Sequence, residues 1–399
     1  MNQTDIVIVG GGIVGHVLAA GLLHHTRFSV TVIDANPAPA KHADNQRHPG
    51  FDARVIALAR RTVAALNTMG IDTREARSEP IKTIQVSEHG ATGLCHLSAA
   101  QFRLASFGEV TALSRLGRLL SEHNQQAGLH YLSCQTVVQA QQHQQHVSLT
   151  LTNGQTLTPK LLVLADGGRS TLAGQLNIER QQQPYEQVAL VCNVIMSKPH
   201  NYCAYERFTP DGPLAFLPFN SGENDTGCGF SVVWTVAADK ADYLQSLDKT
   251  GFTRALQRAF GFRHGSIRRI GKRASYPLAL ETAGSITSHR VALAGNAAQT
   301  LHPIAGQGFN LGLRDTLGLV NALAEAADPG AFTTLRAYSR AREHDRKDTI
   351  WLTDALVRGF SNRHGPLKIA RNAGLIALDN SRMMQQAFVQ RTTGFGPEM

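Results

Sequence analysis

Three glycines and one aspartate near the start of the chain have the spacing of a dinucleotide-binding site. Gly10, Gly12 and Gly15 stand in the segment GGGIVG, and Asp34 follows a short distance later. The first glycine permits a tight turn, the second lets the backbone approach a pyrophosphate, and the third lets a helix pack against a sheet. A carboxylate at the position of Asp34 accepts hydrogen bonds from ribose hydroxyls. This pattern predicts binding of an adenine dinucleotide.

The elements around this pattern are the ones that such a site requires. Asp5–Val9 is an apolar strand, residues 16–25 have the pattern of a helix, and Val30–Ile33 form a second strand that ends at Asp34. The N-terminus of the helix offers unpaired N–H donors and a partial positive charge to the phosphates. Because a carboxylate repels a 2′-phosphate, the site suits FAD or NAD better than NADP. The alternative is that the glycines serve only a strand–helix turn.

Two further glycine-bearing segments follow apolar strands later in the chain. Residues 165–170 read ADGGRS after LLVL, and residues 295–310 read GNAAQTLHPIAGQGFN after VALA. Together with the first pattern, they resemble the class A flavoprotein monooxygenases, the family of p-hydroxybenzoate hydroxylase, in motif, order and spacing. The resemblance covers nearly the whole chain and implies that FAD is the bound cofactor.

The resemblance also implies which residues face the FAD. Asp166 and Gly167 would lie near its pyrophosphate, and residues 306–308 would begin a helix directed at the flavin ring. Arg54 would contact FAD, or else begin a helix and pair with a surface carboxylate. His302 and Pro303 are candidates near the flavin, but no catalytic side chain is assigned because the cofactor carries the chemistry. The expected cofactor-binding residues are Gly10, Gly12, Gly15, Asp34, Arg54, Asp166, Gly167, Gly295, Asn296, Gly306, Gln307, Gly308 and Asn310.

Two positions depart from the family signature. Asn296 stands where the family usually has an Asp that binds a ribityl hydroxyl, and Gln299 stands where His is common. A neutral hydrogen bond contributes about 0.5–1.5 kcal/mol, and one to a charged group about 1.5–3 kcal/mol. We therefore expect Asn296 to weaken FAD retention without abolishing it.

These departures are similar to the ubiquinone-biosynthesis branch of the family, which hydroxylates 2-polyprenyl-6-methoxyphenol. The same branch is matched by residues 50–58 (GFDARVIAL), Glu206–Phe208, residues 212–215 (GPLA) and residues 272–278 (KRASYPL). The resemblance implies that NADPH or NADH reduces the FAD and that O2 supplies one oxygen atom to a prenylated phenol. The sequence has no second G-x-G-x-x-G, which agrees with transient binding of the nicotinamide.

A polyprenyl tail demands a long apolar channel or contact with a membrane, because each buried CH2 group contributes about 0.8 kcal/mol. The C-terminal region mixes basic and apolar residues in a way that suits an anionic membrane surface. A helical cap or a subunit contact is an equal alternative for this region. Other ubiquinone-biosynthesis proteins are candidate partners. The residues concerned are Arg358, Arg363, Leu367, Lys368, Ile369, Arg371, Leu375 and Ile376.

The order of elements predicts an α/β protein with a Rossmann-like FAD-binding domain, an inserted β-sheet substrate domain and a C-terminal helical region. We place the FAD-binding domain at residues 1–80, 99–182 and 283–330, the substrate domain at 81–98 and 183–282, and the helical region at 331–399. We also expect a loop at 37–50, a helix over 55–69, and hairpins that turn near Gly90 and at Asn153–Gly154.

Composition excludes several other classes of protein. The net charge of +9 is spread over 399 residues in short basic clusters, none of which reaches a run of five or six, and this argues against nucleic-acid binding and fits an anionic cofactor. Five scattered cysteines predict reduced thiols in a cytoplasmic protein. Peripheral contact with the inner face of a membrane is the alternative location. We expect no signal peptide, no membrane-spanning helix and no metal site. His143 and His146 fit a solvated loop better than a metal site.

Three other functions compete with this interpretation. The first is a flavin monooxygenase that acts on another phenol or quinone precursor. The second is a non-catalytic FAD-binding scaffold in a lipid-synthesis complex. The third is an ordinary NAD dehydrogenase, which gives no reason for the segments at 165–170 and 295–310.

Overall fold

The computed structural model describes residues 4–38, 54–220, 222, 227–303, 306–360 and 365–393. Within them the chain forms four β-sheets and ten α-helices. Some sequence expectations fall on residues or side chains outside this description, so they stay predictions. They are the loop at 37–50 beyond residue 38, the motif residues 50–53, Ile304, Ala305, Arg358, Arg363, Leu367, Lys368 and Ile369.

The bounds of the elements are as follows. The strands are β1 Ile6–Val9, β2 Val30–Ile33, β3 Val55–Ala59, β4 Glu79–Ile81, β5 Thr83–Glu88, β6 Leu94–Ser98, β7 Gly108–Ala112, β8 His130–Leu132, β9 Val137–Gln142, β10 Val147–Leu151, β11 Thr156–Leu157, β12 Leu161–Leu164, β13 Arg180–Met196, β14 Cys203–Thr209, β15 Gly212–Pro218, β16 Gly229–Ala237, β17 Ile267–Ile270, β18 Ala274–Ala283, β19 Thr287–Ser288, β20 Val291–Leu293 and β21 Gln299–Thr300. The helices are α1 Ile13–His25, α2 Arg60–Thr68, α3 Leu113–Gln126, α4 Leu172–Gln175, α5 Ala238–Ser246, α6 Lys249–Phe260, α7 Gln307–Leu323, α8 Phe332–Phe360, α9 Gly365–Asn380 and α10 Arg382–Thr393.

A six-stranded sheet, in the order β19-β20-β12-β1-β2-β8, carries the first glycine motif. Its strands pair in parallel from β20 to β8, and only the short edge strand β19 is antiparallel. Every residue of β1, β2 and β12 is buried. Both faces are therefore covered, which explains why these strands are continuous apolar runs in the sequence. This sheet confirms the predicted Rossmann-like fold.

A nine-stranded sheet follows the order β21-β18-β13-β16-β15-β14-β5-β6, with β17 beside β13. Alternate residues of its strands pack against α5 and α6 to form one apolar core. The hairpin predicted around Gly90 is confirmed, because β5 and β6 pair antiparallel. The strands of segments 83–98 and 180–283 thus share one sheet, although they are far apart in sequence.

Two three-stranded sheets complete the fold, β11-β10-β9 and β3-β7-β4. The hairpin at Asn153–Gly154 is confirmed by the pairing of β10 with β11. The predicted helix over 55–69 is wrong for its first five residues, which form β3 and pair with β7 before α2 begins at Arg60. The apolar residues at helical spacing could not reveal β7, which lies about fifty residues later and overrides the local preference.

The C-terminal region is helical, as predicted, and consists of α8, α9 and α10. Apolar residues of these helices, Val357, Leu375 and Val389, join a core that also contains residues of β5, β6 and β14. In the described part of the chain, no helix is long and apolar enough to cross a membrane.

Candidate active site at the junction of three glycine turns

The turn after β1 is held by direct contact between backbone segments. Gly10 has a φ of +114°, and a Cβ added to it would lie 2.4 Å from the carbonyl oxygen of Ala165. A Cβ on Gly15 would lie 1.9 Å from the carbonyl oxygen of Gly10. Only glycine fits at these two positions, because a real Cβ cannot approach so closely. The first and second motifs therefore touch each other.

Gly12 differs from its neighbours in facing open space. A Cβ built on Gly12 would meet no atom of the described residues within 4 Å. Gly12 also precedes α1 as its N-cap, and no side chain in the described part of the chain caps the first turn of this helix. The position thus combines unpaired backbone donors, the positive end of a helix dipole and room for a ligand, which together suit a pyrophosphate.

Asp34 lies at the carboxyl end of β2, where the sequence predicted it, and its residue is 7% exposed. Its carboxylate accepts hydrogen bonds from the backbone N–H of Gly11 and from both the backbone and the side chain of Asn36. The buried hydroxyl of Tyr131 lies beside Gly11 and Asp34. Burial, and next the charge of Asp34, raise the pKa of Tyr131, so its hydroxyl stays protonated. Asp34 thus fixes the glycine turn as well as marking the end of the strand.

Asp166 folds the second motif into a compact turn. Its two carboxylate oxygens accept hydrogen bonds from the backbone N–H groups of Gly168 and Ser170. Arg180 closes this turn from the outside, since a Cβ on Gly168 would lie 1.8 Å from its guanidinium. Arg180 also donates to the carbonyl of Asn296 over 3.2 Å and pairs with Glu281 over 2.8 Å. Sequence reasoning missed Arg180, which links the second motif to the third.

The third motif begins where Gly295 packs on α1. A Cβ on Gly295, whose φ is +64°, would lie 3.0 Å from the side chain of Val14. Gly312 of α7 approaches the other side, with its added Cβ 2.9 Å from the Cα of Gly295. Next to this contact, Asn296 is exposed, and its side-chain amide makes no hydrogen bond within the described residues. Asn296 is therefore available to a ligand.

The helix α7 begins at Gln307, with Gly306 as its N-cap, as the sequence predicted. Gln307 is buried at this helix start, and Gly308 lies beside Leu301. Asn310 uses its whole amide within the protein: its oxygen accepts from Ala59 N–H and Thr62 Oγ1, and its nitrogen donates to the carbonyls of Ala57 and Gly306. Asn310 therefore fixes the start of α7 to the junction of β3 and α2.

A buried network of charges holds the loop after β20. Asp315 of α7 is fully buried and accepts hydrogen bonds from Gly295 N–H at 3.2 Å, from Gln299 Nε2 at 2.6 Å and from Arg342 Nε at 2.9 Å. Arg346 of α8 donates to Gln299 Oε1 at 2.6 Å. Gln299, which we noted only as a departure from the family signature, thus joins the loop to α7 and α8. The sequence offered no signal for the two arginines beyond an Arg-rich helical region.

His302, Pro303 and Arg54 lie around the same junction. His302 is fully buried, its ring meets that of Tyr185 edge-on at 5.5 Å, and burial lowers its pKa to about 4, so the imidazole is neutral near pH 7. Pro303 is half-buried and directly precedes the residues outside the description. The guanidinium of Arg54 lies 5.3 Å above the ring of Tyr276, on β18 of the nine-stranded sheet.

The three glycine turns are therefore linked to one another beside the open space in front of Gly12. The contacts that show this are Gly10 with Ala165, Gly295 with Val14, and Arg180 with both Gly168 and Asn296. Backbone N–H groups at two helix N-termini are the donors and the carboxylate of Asp34 is the acceptor, a combination that fits a dinucleotide with a pyrophosphate and hydroxylated linkers.

Comparison with known proteins agrees with this geometry. The family described as FAD binding domain matches residues 3–350. A ubiquinone hydroxylase from Rhodospirillum rubrum, UbiL, is 35% identical over 410 aligned residues, which cover 99% of this chain and 91% of the relative. The 3-demethoxyubiquinol 3-hydroxylase of Escherichia coli is 30% identical, with 98% of this chain and 99% of the relative covered.

Solved structures show the same fold at lower identity. The p-nitrophenol 4-monooxygenase PnpA of Pseudomonas putida superposes with a TM-score of 0.80 at 18% identity, and the match covers 100% of this chain and 99% of that one. PqsL of Pseudomonas aeruginosa, described as a probable FAD-dependent monooxygenase, gives a TM-score of 0.76 at 20% identity over 94% of this chain and 99% of that one. The fold extends over nearly the full length of both.

Proposed function

The chain belongs to the FAD-binding-domain family of flavin-dependent aromatic monooxygenases, and from this membership we propose that it hydroxylates a prenylated phenol in ubiquinone biosynthesis. The proposed reaction consumes NADPH or NADH and O2, and the proposed substrate is 2-polyprenyl-6-methoxyphenol. The observation that carries the proposal is the open space in front of Gly12, beside which the three glycine turns are linked to one another. Full-length relatives named as ubiquinone hydroxylases support the choice of pathway.

In this proposal the FAD lies along the junction of the six-stranded sheet and the nine-stranded sheet. The N-terminus of α1 would hold the pyrophosphate, Asp34 the ribose, and Asn296 a ribityl hydroxyl. The start of α7 at Gly306–Gly308 would direct its dipole at the flavin ring and favour negative charge there. When bound, FAD supplies hydride acceptance from the nicotinamide and activation of O2 for transfer of one oxygen atom to the ring.

The protein's own contribution is to position these groups and to keep water out. Asn310 and Asp315 fix the start of α7 and the loop after β20, so the backbone donors are in place before a ligand arrives. His302 is neutral and buried at the same loop, and it adds no charge to the cleft at pH 7. A dry cleft matters because water at the flavin would divert O2 to H2O2.

Peripheral contact with a membrane is part of the proposal. Large apolar side chains of the C-terminal helices are exposed, among them Trp351 (68%), Ile376 (43%) and Met383 (78%). Apolar residues exposed on helices that also carry basic residues favour an anionic lipid surface, where a prenylated substrate resides. Binding to vesicles of anionic phospholipid, compared with neutral ones, measures this contact.

The experiment that tests the proposed function is a turnover assay with isotopic oxygen. We expect the purified protein to carry a flavin spectrum and to oxidise NADPH or NADH faster when 2-methoxy-6-prenylphenol, a short-chain analogue, is added. With 18O2, the product should gain one labelled oxygen on the ring. A protein that binds flavin but gives no labelled product with this analogue or with a demethoxyubiquinol would be a scaffold instead. A label only in the second compound would move the reaction to another ring position, as the relative from Escherichia coli suggests.

A further inference from the structure

Glu206 of β14 carries a carboxyl group on the face of the nine-stranded sheet that is opposite to α5 and α6. On β14, Tyr205 and Arg207 point towards α6: the Tyr205 ring meets Phe260 at 5.7 Å, and Arg207 donates to the carbonyl of Ala259. Because successive side chains of a strand alternate, Glu206 points to the opposite face. Ala204 and Phe208, which flank it on that face, belong to the apolar core shared with the C-terminal helices.

The residues that lie in register with Glu206 on the neighbouring strands are apolar and small. Glu206 pairs with Ala215 of β15 and with Val86 of β5, and Ala215 pairs in turn with Val233 of β16. Paired residues of neighbouring strands share a face, so these side chains surround the carboxyl group. Within the described residues no hydrogen bond or ion pair engages it, although Glu206 keeps part of its accessible surface. Burial raises its pKa to about 7, and burial is the only cause.

Other charged groups near this face are already engaged. Glu88, two residues beyond Val86, forms an ion pair with Arg371 of α9 at 2.7 Å. Arg115 of α3 lies over the ring of Phe219 at 5.7 Å, and the hydroxyl of Tyr185 donates to Asp354 of α8. None of them contributes to the pKa of Glu206. Further ionisable groups on the elements packed here are Arg54, Tyr276, His302, Cys95 of β6 and Asp379 of α9, which accepts a hydrogen bond from the backbone N–H of His96.

Arg54 places the expected flavin position over the same face. Its guanidinium stands above Tyr276, which pairs with Ala189 of β13 on the side of the sheet that bears Glu206. The strands β18 and β14 are four positions apart in the sheet, or about 19 Å at about 4.8 Å per strand. A flavin ring beside Arg54 that runs along this face would bring a phenol ring at its far end to the strand that carries Glu206.

We propose that Glu206 binds the ring hydroxyl of the substrate and accepts its proton while the ring is oxygenated. The inference rests on the proposed function, because it requires a phenol in this cleft. A carboxyl group that is flanked by apolar side chains, has no partner among the described residues and remains reachable is suited to a ligand that brings its own donor.

The proton that Glu206 takes from the phenol returns to the phenol oxygen within the same cycle. The Glu206 carboxylate takes the hydroxyl proton, the phenol O–H bond breaks, and its electron pair stays on the phenol oxygen. The conjugated ring carbons become more nucleophilic towards the electrophilic oxygen that the family's cofactor chemistry supplies. When the ring becomes aromatic again, the ring carbon loses its hydrogen to water as a proton, and the proton on Glu206 returns to the phenol oxygen. Glu206 thus ends each cycle as a carboxylate.

The test compares the wild-type holoenzyme with Glu206→Gln between pH 6 and pH 9. 2-Methoxy-6-prenylphenol is the probe, its binding is followed by the change in the flavin spectrum, and its hydroxylation by mass. In the wild type we expect binding and hydroxylation to strengthen as pH rises through about 7, where Glu206 becomes charged. Glu206→Gln should lose this pH dependence and hydroxylate on the order of a hundredfold more slowly. Glu206→Asp should keep the pH dependence at an intermediate rate.

Glu122→Gln, the same substitution at an exposed position of α3, should match the wild type throughout. A Glu206→Gln variant with the wild-type pH profile and a rate within about twofold of wild type would overturn the inference. Should neither Glu206 variant fold, the wild type decides alone, because binding that is independent of pH between 6 and 8 also overturns it. A wild type that binds the probe with the expected pH dependence, yet yields no hydroxylated product, contradicts the proposed function and leaves Glu206 as the phenol-binding group.

Discussion

The turn after β1 and the loop after β20 both face the proposed cofactor cleft, but they are held in place differently. The first is fixed by close packing of backbone on backbone, with Gly15 against Gly10 and Gly10 against Ala165. The second is fixed by buried charge, through Asp315, Arg342 and the amide of Gln299. The turn after β1 requires glycines, which have no side chain, and the loop after β20 requires side chains from α7 and α8.

The difference has a consequence for how each turn responds to change. A substitution at one of these glycines removes no polar group, so the failure of the turn is steric and local. A buried ion network fails by leaving an uncompensated charge, and that cost spreads to every element it joins. Substitutions in the two regions should therefore separate loss of the ligand from loss of the fold.

The largest effect is expected from Gly12→Val. Its side chain would enter the open space in front of α1 and occupy the volume that we assign to the pyrophosphate. The protein should fold normally and carry no FAD, because no atom of the described residues lies within 4 Å of the added Cβ. Flavin absorbance after incubation with FAD measures the loss, and circular dichroism checks the fold.

Gly174→Val in α4 is the matched control, since a Cβ at Gly174 also meets nothing within 4 Å. This variant should retain flavin. If Gly12→Val kept its flavin as well, the open space at Gly12 would not be the pyrophosphate site.

The second region is tested by Asp315→Ala. Removal of this carboxylate leaves Arg342 buried beside Asp345 alone and takes the acceptor away from Gly295 N–H and Gln299. We expect the free energy of unfolding to fall by about 3–5 kcal/mol, with weaker FAD binding as a consequence. Denaturant unfolding monitored by circular dichroism gives the first quantity.

Glu343→Ala provides the contrast on α8, because the ion pair of Glu343 with Lys347 is exposed. The loss there should be much smaller, because an exposed ion pair between flexible side chains adds little to the free energy of unfolding. Equal losses for Asp315→Ala and Glu343→Ala would mean that the buried network does not stabilise the loop after β20.

The sequence predicted more of the turn after β1 than of the loop after β20. The reason is how far apart in the sequence the contacting residues of each region lie. The glycine turn is encoded within about thirty residues, so its strands, helix and Asp34 were all predicted. The loop after β20 depends on contacts from Arg180, Arg342 and Arg346, which lie 40 to 120 residues away and have no motif. Residues 55–59 were misread as helix because their partners, β7 and the amide of Asn310, are equally remote.

The smallest effect on FAD binding is expected from Asn296→Asp, which we compare with the same substitution at Asn310, a second asparagine of the third motif. Asn296→Asp should tighten FAD binding by about 1 kcal/mol, or about fivefold in Kd, because a hydrogen bond to a charged acceptor is stronger than a neutral one. Its amide is exposed and makes no hydrogen bond in the described part of the chain, so the substitution removes no contact between the described residues.

Asn310→Asp, fourteen residues later, should have the opposite sign. It removes two donors and places a negative charge beside the carbonyls of Ala57 and Gly306, at a cost of about 1–3 kcal/mol in the free energy of unfolding. Flavin titration of both variants, together with denaturant unfolding, separates the ligand contact from the structural one. If Asn296→Asp weakened FAD binding, Asn296 would not accept a hydrogen bond from a ribityl hydroxyl, and the loop after β20 would bind FAD through its backbone alone.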